Sequence, residues 1–218
     1  QYEMHGWQYR VKPVIVSTGM ERTRTAGRPR SFDADEALDR ALRVFWRKGY
    51  EGTSLHDLTK AMRINRPSMY AAFGNKEDLF RKVIDRYDSG PAGYTREALE
   101  RPTARAVVER LLHGAVDLLT DPRNPGGCLM VQAALAAGKP GEPIRRELAG
   151  RRAAGVAAIR RRFRRAIAEG DLPAGADAAV LARFVATAVH GMAVQAASGA
   201  SRKELRRVAD MFLRAWPS

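Results

Sequence analysis

The sequence is poor in residues that staple or metallate a chain, with one cysteine (Cys128) and four histidines in 218 residues. A single thiol cannot close an intramolecular disulfide, which excludes the disulfide-built scaffolds of small secreted domains. So thin a set of ligands also argues against a structural zinc site, and no metal or cofactor is expected. Acidic side chains are scarce relative to basic ones: 24 Asp and Glu face 38 Lys and Arg, a net charge of +14. The longest uncharged stretch, 184–201, is interrupted by Thr187, His190, Gln195 and Ser198. It reads as a helix buried on most sides rather than a membrane span. Near the start the only apolar cluster is Val14, Ile15 and Val16, far too short for a signal-peptide core. These absences predict a cytoplasmic protein with no membrane partner. Because the chain opens at Gln1, Met20 is a candidate start and residues 1–19 a candidate upstream extension.

Enzyme signatures are missing too. There is no GxSxG elbow, phosphate-binding GxxxxGK[ST] loop, HExxH pair or dinucleotide fingerprint after a strand. Cys128 with His113 or His190 could form a thiolate pair, but nothing in the sequence brings them together. No enzyme is expected. No alternation of apolar and polar residues is long enough for a strand, and there are no internal repeats.

What is present is helical punctuation. Arg22, Arg24, Arg28 and Arg30 lie among Thr, Gly and Pro with no face to bury, and a flexible basic arm is assigned to 1–27. Asp33 and Glu36 then have capping-box spacing ahead of an apolar stripe that ends at Gly49. Ser54 and Asp57 repeat that spacing before a second, shorter helix. After only Arg63, Ile64 and Asn65 a third helix starts, capped by Asn65 with Pro67 in its first turn and closed at Gly74. Asn75 caps a fourth that runs to about Asp88. Further helices are predicted over 102–120, 128–137, 143–169, 177–198 and 201–216, separated by Gly- and Pro-rich breaks. The fold class is all-α: a head over 28–88 and a larger body over 89–218.

Two short helices joined by a three-residue turn, the second carrying small polar residues on its outer side, make a helix-turn-helix. Arg66 and Ser68 can donate to base edges, and Ala71 and Ala72 permit close approach in the major groove. Tyr70, Lys76 and His56 are placed to hold phosphates. The alternative is a plain small bundle with Tyr70 in its core. The turn spacing, successive caps and the adjacent four-arginine arm favour DNA, with the arm in the minor groove or along phosphates.

The segments FWRKGYEGTS at 45–54 and LTKAMRINRPSMYAAFGNKEDLF at 58–80 closely resemble the N-terminal domain of TetR/AcrR-type regulators. The match covers about 28–87 and includes the family's Tyr, Phe and Lys at Tyr70, Phe73 and Lys76. The resemblance implies a homodimeric, ligand-responsive repressor on double-stranded DNA with a pseudo-palindromic operator. It places Ser54 and His56 at second-helix contact positions, and Arg66, Pro67, Ser68, Tyr70 and Ala71 on the recognition helix. Lys76 falls on a phosphate contact. One departure is Arg63, which stands where the family usually has Gly in the turn. Either the turn is tightened differently here, or Arg63 offsets backbone strain with a phosphate contact.

In the body, the helix predicted over 143–169 holds nine arginines and reads as amphipathic with a solvated or acid-paired outer face. The last two helices carry broad apolar surfaces, which the resemblance assigns to a dimer interface. For an unidentified small-molecule effector, polar groups set in apolar stretches single out His113, Gln132 and His190, with Tyr87, Met130 and Phe163 as walls. Cys128, after two glycines at a predicted helix N-terminus, is a candidate low-pKa thiol. Three readings follow: a ligand-released repressor, a redox switch through Cys128, and an enzyme bearing a DNA-binding head.

Overall fold

Residues 32–135 and 141–217 are described by a computed structural model. The arm (1–27) and Arg28 and Arg30 just after it lie outside the described residues. Within them the chain forms ten α-helices and no strand.

Short polar side chains fix the starts of the head helices. Asp33 caps α1 (Ala34–Lys48) by accepting from the amides of Asp35 and Glu36, while the Glu36 carboxylate turns to Arg40 instead of closing a reciprocal box. The reciprocal box is complete at α2 (Leu55–Met62), where the Ser54 hydroxyl accepts from the Asp57 amide at 3.0 Å and Asp57 accepts from the Ser54 amide at 3.0 Å. Asn65 caps α3 (Arg66–Phe73) through the Ser68 amide at 2.8 Å, and Asn75 with Asp78 boxes α4 (Lys76–Ser89). Each cap satisfies amides that would otherwise be orphaned, at roughly 1 kcal/mol apiece.

The α2–α3 turn closes as a Schellman motif. The Arg63 amide donates to Lys60 and the Ile64 amide to Thr59, with Arg63 held at φ 57° and ψ 40°. A left-handed conformation is strained for a residue with a Cβ, so Arg63→Gly should raise the unfolding free energy by about 1 kcal/mol. Urea unfolding checks this, and a loss of stability would overturn it.

A short helix absent from the sequence-based expectations follows: α5 (Tyr94–Leu99), which has no side-chain cap and buries Ala98. The body continues with α6 (Ala104–Leu119), α7 (Leu129–Leu135), α8 (Glu142–Ala168), α9 (Ala178–Ala197) and α10 (Arg202–Arg214). α6 runs through its middle, buried on almost every side and packed by α5, α9 and α10. By length and composition α9 could cross a membrane, yet one side of it packs against α6 and α8.

Two apolar cores result. The head core gathers Phe45, Trp46, Leu58, Met62, Met69, Phe73 and Phe80, but is completed by Leu118, Leu129, Ile144 and Leu148 from the body. Within the head core the Trp46 indole packs edge-on against Tyr87 at 4.9 Å, and it donates to the Gly127 carbonyl at 3.1 Å, tying α1 to the loop before α7. Ion pairs add a second seam along α4. Arg81 pairs with Glu147 at 2.9 Å, and Arg151 reaches Asp85 at 2.8 Å and Asp88 at 3.2 Å.

The arginines of α8 are less uniformly solvated than their run suggests. Arg145, Arg146 and Arg165 do pair with acids on the outer face. Arg151 and Arg152 instead turn inward, and Arg162 is only 5% exposed, donating to the carbonyls of Arg101 and Pro102 at 2.9 and 2.8 Å.

Candidate DNA interface and effector cavity

Met69 and Phe73 anchor one side of α3 in the head core. That anchoring turns Arg66, Pro67, Tyr70 and Ala71 to solvent together, at positions one helical turn apart. Tyr70 is 46% exposed and so does not serve as core. Ala72, by contrast, is half-buried against the head core and is withdrawn from this face. Ser68 is half-buried; His56 and Arg63 are exposed on α2 and its turn. The Ser54 hydroxyl also donates to Asp57 at 2.8 Å, so its proton is already engaged by the helix cap.

Lys76, at the first position of α4, is positioned by a residue that sequence reasoning did not single out. Its ammonium sits 4.5 Å above the ring of Tyr50. Burial there pushes the Lys76 pKa down, against a smaller opposing pull from Glu51. Nearby, Lys48 bonds Asp57 at 2.7 Å and, with the Ser54 bonds, holds that carboxyl well below its usual range. The exposed face of α2, the turn and α3 thus presents Arg63 and Arg66 with Asp57 already paired.

At its other end α4 reaches a partly open cavity of about 420 Å³, lined by α4, α5, α6, α7, α8 and α9. Of the residues expected at an effector site, Tyr87, Cys128, Met130 and His190 line it. The other three are used elsewhere. The His113 ring nitrogen lies 3.3 Å from an Asp210 carboxylate oxygen, tying α6 to α10. The Gln132 amide donates to the Gly126 carbonyl at 3.0 Å and secures the loop before α7. Phe163 is fully buried against Trp216, with ring centroids 5.2 Å apart. Tyr94, Arg96, Arg151 and Arg152 line the cavity without having been anticipated.

Cys128 departs from its expected chemistry. Its sulfur accepts from the Tyr87 hydroxyl at 3.2 Å, and burial pushes the thiol pKa up despite that bond and two backbone contacts. The helix N-terminus does not make it a thiolate, because loss of water outweighs a partial positive charge. Burial likewise raises Tyr87, and it lowers His190 together with the nearby charge of Arg152. His190 is therefore neutral at pH 7.

A capped helix-turn-helix with an exposed polar recognition face, carried on a larger helical body, defines a DNA-binding transcriptional regulator. Comparisons with known proteins specify which kind. Residues 37–83 match the family model described as bacterial regulatory proteins, tetR family, and 104–212 match the tetracyclin repressor-like C-terminal domain. The HTH-type transcriptional repressor ComR of Escherichia coli K12 is 34% identical over 196 residues, covering 89% of this chain and 93% of ComR. A solved structure of the TetR family regulator CifR, a cysteine mutant complexed with 26-bp operator DNA, superposes with a TM-score of 0.83. It is 46% identical, over 87% of this chain and 100% of CifR. A TetR transcriptional regulator from Rhodococcus sp. RHA1 is 47% identical with a TM-score of 0.59, over 85% of this chain and 100% of its own. The chain belongs to the TetR family of bacterial regulatory proteins.

Proposed function

We propose that the protein is a homodimeric cytoplasmic repressor that a small molecule releases from a pseudo-palindromic operator. The observation that carries this reading is the double use of α4: Lys76 opens it beside the recognition helix, and Tyr87 near its end lines the cavity. In this scheme the head (28–88) binds DNA, and the body (89–218) binds the effector and the second subunit. Arg66, Pro67, Ser68 and Ala71 contact the major groove; His56, Arg63, Tyr70, Lys76 and the region of Ser54 hold phosphates. Arg28 and Arg30 of the arm add minor-groove or phosphate contacts. The operator complex of CifR and the repressor role of ComR support the assignment.

Dimerisation is argued from α9 and α10. Val180, Phe184, Val194, Val208 and Met211 are large apolar side chains left exposed there, and Phe184 stacks on Phe212 with centroids 4.1 Å apart. A two-fold pairing of this face sets two recognition helices on successive major-groove faces, roughly 34–36 Å apart. Ligand in the cavity then favours a setting of α4, clamped to α8 by Arg81, Glu147 and Arg151, that no longer matches that spacing.

Footprinting of the purified protein on DNA around its own gene, repeated across salt, tests the reading. Two symmetric protected half-sites and a steep fall of affinity with salt are expected, since several Lys and Arg side chains displace counterions. Absence of a protected site, or affinity indifferent to salt, would reject it.

A further inference from the structure

We infer that the body cavity takes an amphiphilic monoanion, a carboxylate on a medium-sized apolar body, with the carboxylate held by Arg152 beside His190. The inference rests on the effector reading of the same cavity and narrows it to a ligand class.

The walls supply the first half of the argument. Leu111, Leu119, Val156, Ile159, Val185 and Val189 make most of the lining apolar. A volume of about 420 Å³ suits a small molecule that exchanges water for hydrocarbon, as ligand pockets of roughly 300–1,000 Å³ do.

The charges supply the second half. Three arginines and one carboxylate, Asp88, line the cavity. Arg151 is already matched, with Asp85, Asp88 and Glu147 at 2.8, 3.2 and 3.1 Å. Arg152 is not. It donates to the Met130 carbonyl at 2.7 Å, and no carboxylate among the described residues lies within ion-pair distance of it. A guanidinium has five N–H donors in a planar fork, so most of its capacity remains for a ligand. Arg96, exposed at the same cavity, adds positive charge. His190, half-buried and uncharged, can donate or accept one hydrogen bond without adding a second full charge. A half-buried cation without a counter-charge favours an anion, repels a cation, and gains little from a neutral head group.

Calorimetric titration of the full chain with decanoate, decan-1-ol and decylammonium separates these outcomes. Decanoate is expected to bind about tenfold tighter than the alcohol, as a charge-assisted hydrogen bond would give, and the ammonium weakest. Arg152→Met should erase the preference for the carboxylate and leave affinity for the alcohol, which doubles as proof of an intact cavity. Arg152→Lys should restore part of it. Should Arg152→Met fail to fold, Arg152→Gln, which keeps an amide donor for the Met130 carbonyl, carries the same comparison. Equal affinity for acid and alcohol, no binding by any of the three, or a preference that survives loss of the guanidinium would overturn the inference. A gel shift on the operator distinguishes it from the parent reading. Selective decanoate binding that leaves the DNA complex intact would keep the site and reject its role as the releasing signal.

Discussion

Alanine at both Arg66 and Tyr70 is expected to weaken operator affinity about a hundredfold and flatten its sequence preference, with the unfolding midpoint unchanged. A bidentate arginine–guanine pair contributes roughly 1–3 kcal/mol of discrimination, and loss of a phosphate-holding tyrosine adds to that. Both side chains are exposed, so their removal opens no cavity, and substitutions of that kind usually stay within about 0.5 kcal/mol of the parent stability. Binding to unrelated DNA at low salt should survive in the variant, because it draws on the remaining positive charge. Fluorescence anisotropy on operator and scrambled duplexes reads both quantities. If the folded double variant kept its affinity and its preference, the exposed face of α3 would not be the reading surface.

The second large effect is expected at the opposite end of the molecule. Val180→Glu combined with Met211→Glu should convert a dimer to monomers in sedimentation velocity and lower operator affinity by two to four powers of ten, roughly what is lost when two linked sites act singly. Val180 and Met211 are 62% and 61% exposed within one chain, so the charges cost little in the isolated subunit. In an isologous interface each introduced carboxylate occurs twice and is desolvated near its own copy. A double variant that remained dimeric, or a monomer that bound the operator as tightly as the parent, would dismiss α9 and α10 as the pairing face.

The head was legible residue by residue because its signals are local. Ser54 with Asp57, Asn65 ahead of Pro67, and Asn75 with Asp78 each act within one turn of backbone, and the helices start where those caps stand. The conformation of Arg63 was left open by the sequence, where only the family resemblance marked the position, and the backbone settles it at φ 57°. α5 was not legible. Its six residues carry no cap, and Tyr94 and Leu99 become meaningful only where α6 and α8 offer them something to pack against.

The cavity shows the same division more sharply. His113 and His190 are alike in sequence, each a polar residue within an apolar helix. One meets Asp210 across a helix pair and the other faces open space. Arg151 and Arg152 are adjacent, yet three carboxylates surround the first and, among the described residues, none pairs with the second.

What the sequence alone determined is the all-helical class of the described residues, the starts of the helices that carry side-chain caps, and the two short helices with their turn. Caps, turns and apolar periodicity are written into neighbours four residues apart or fewer. Only the tertiary structure decided which cations are neutralised, which thiol is buried, and where a hollow remains. Those properties depend on side chains brought together from distant segments, and on how much water their meeting excludes.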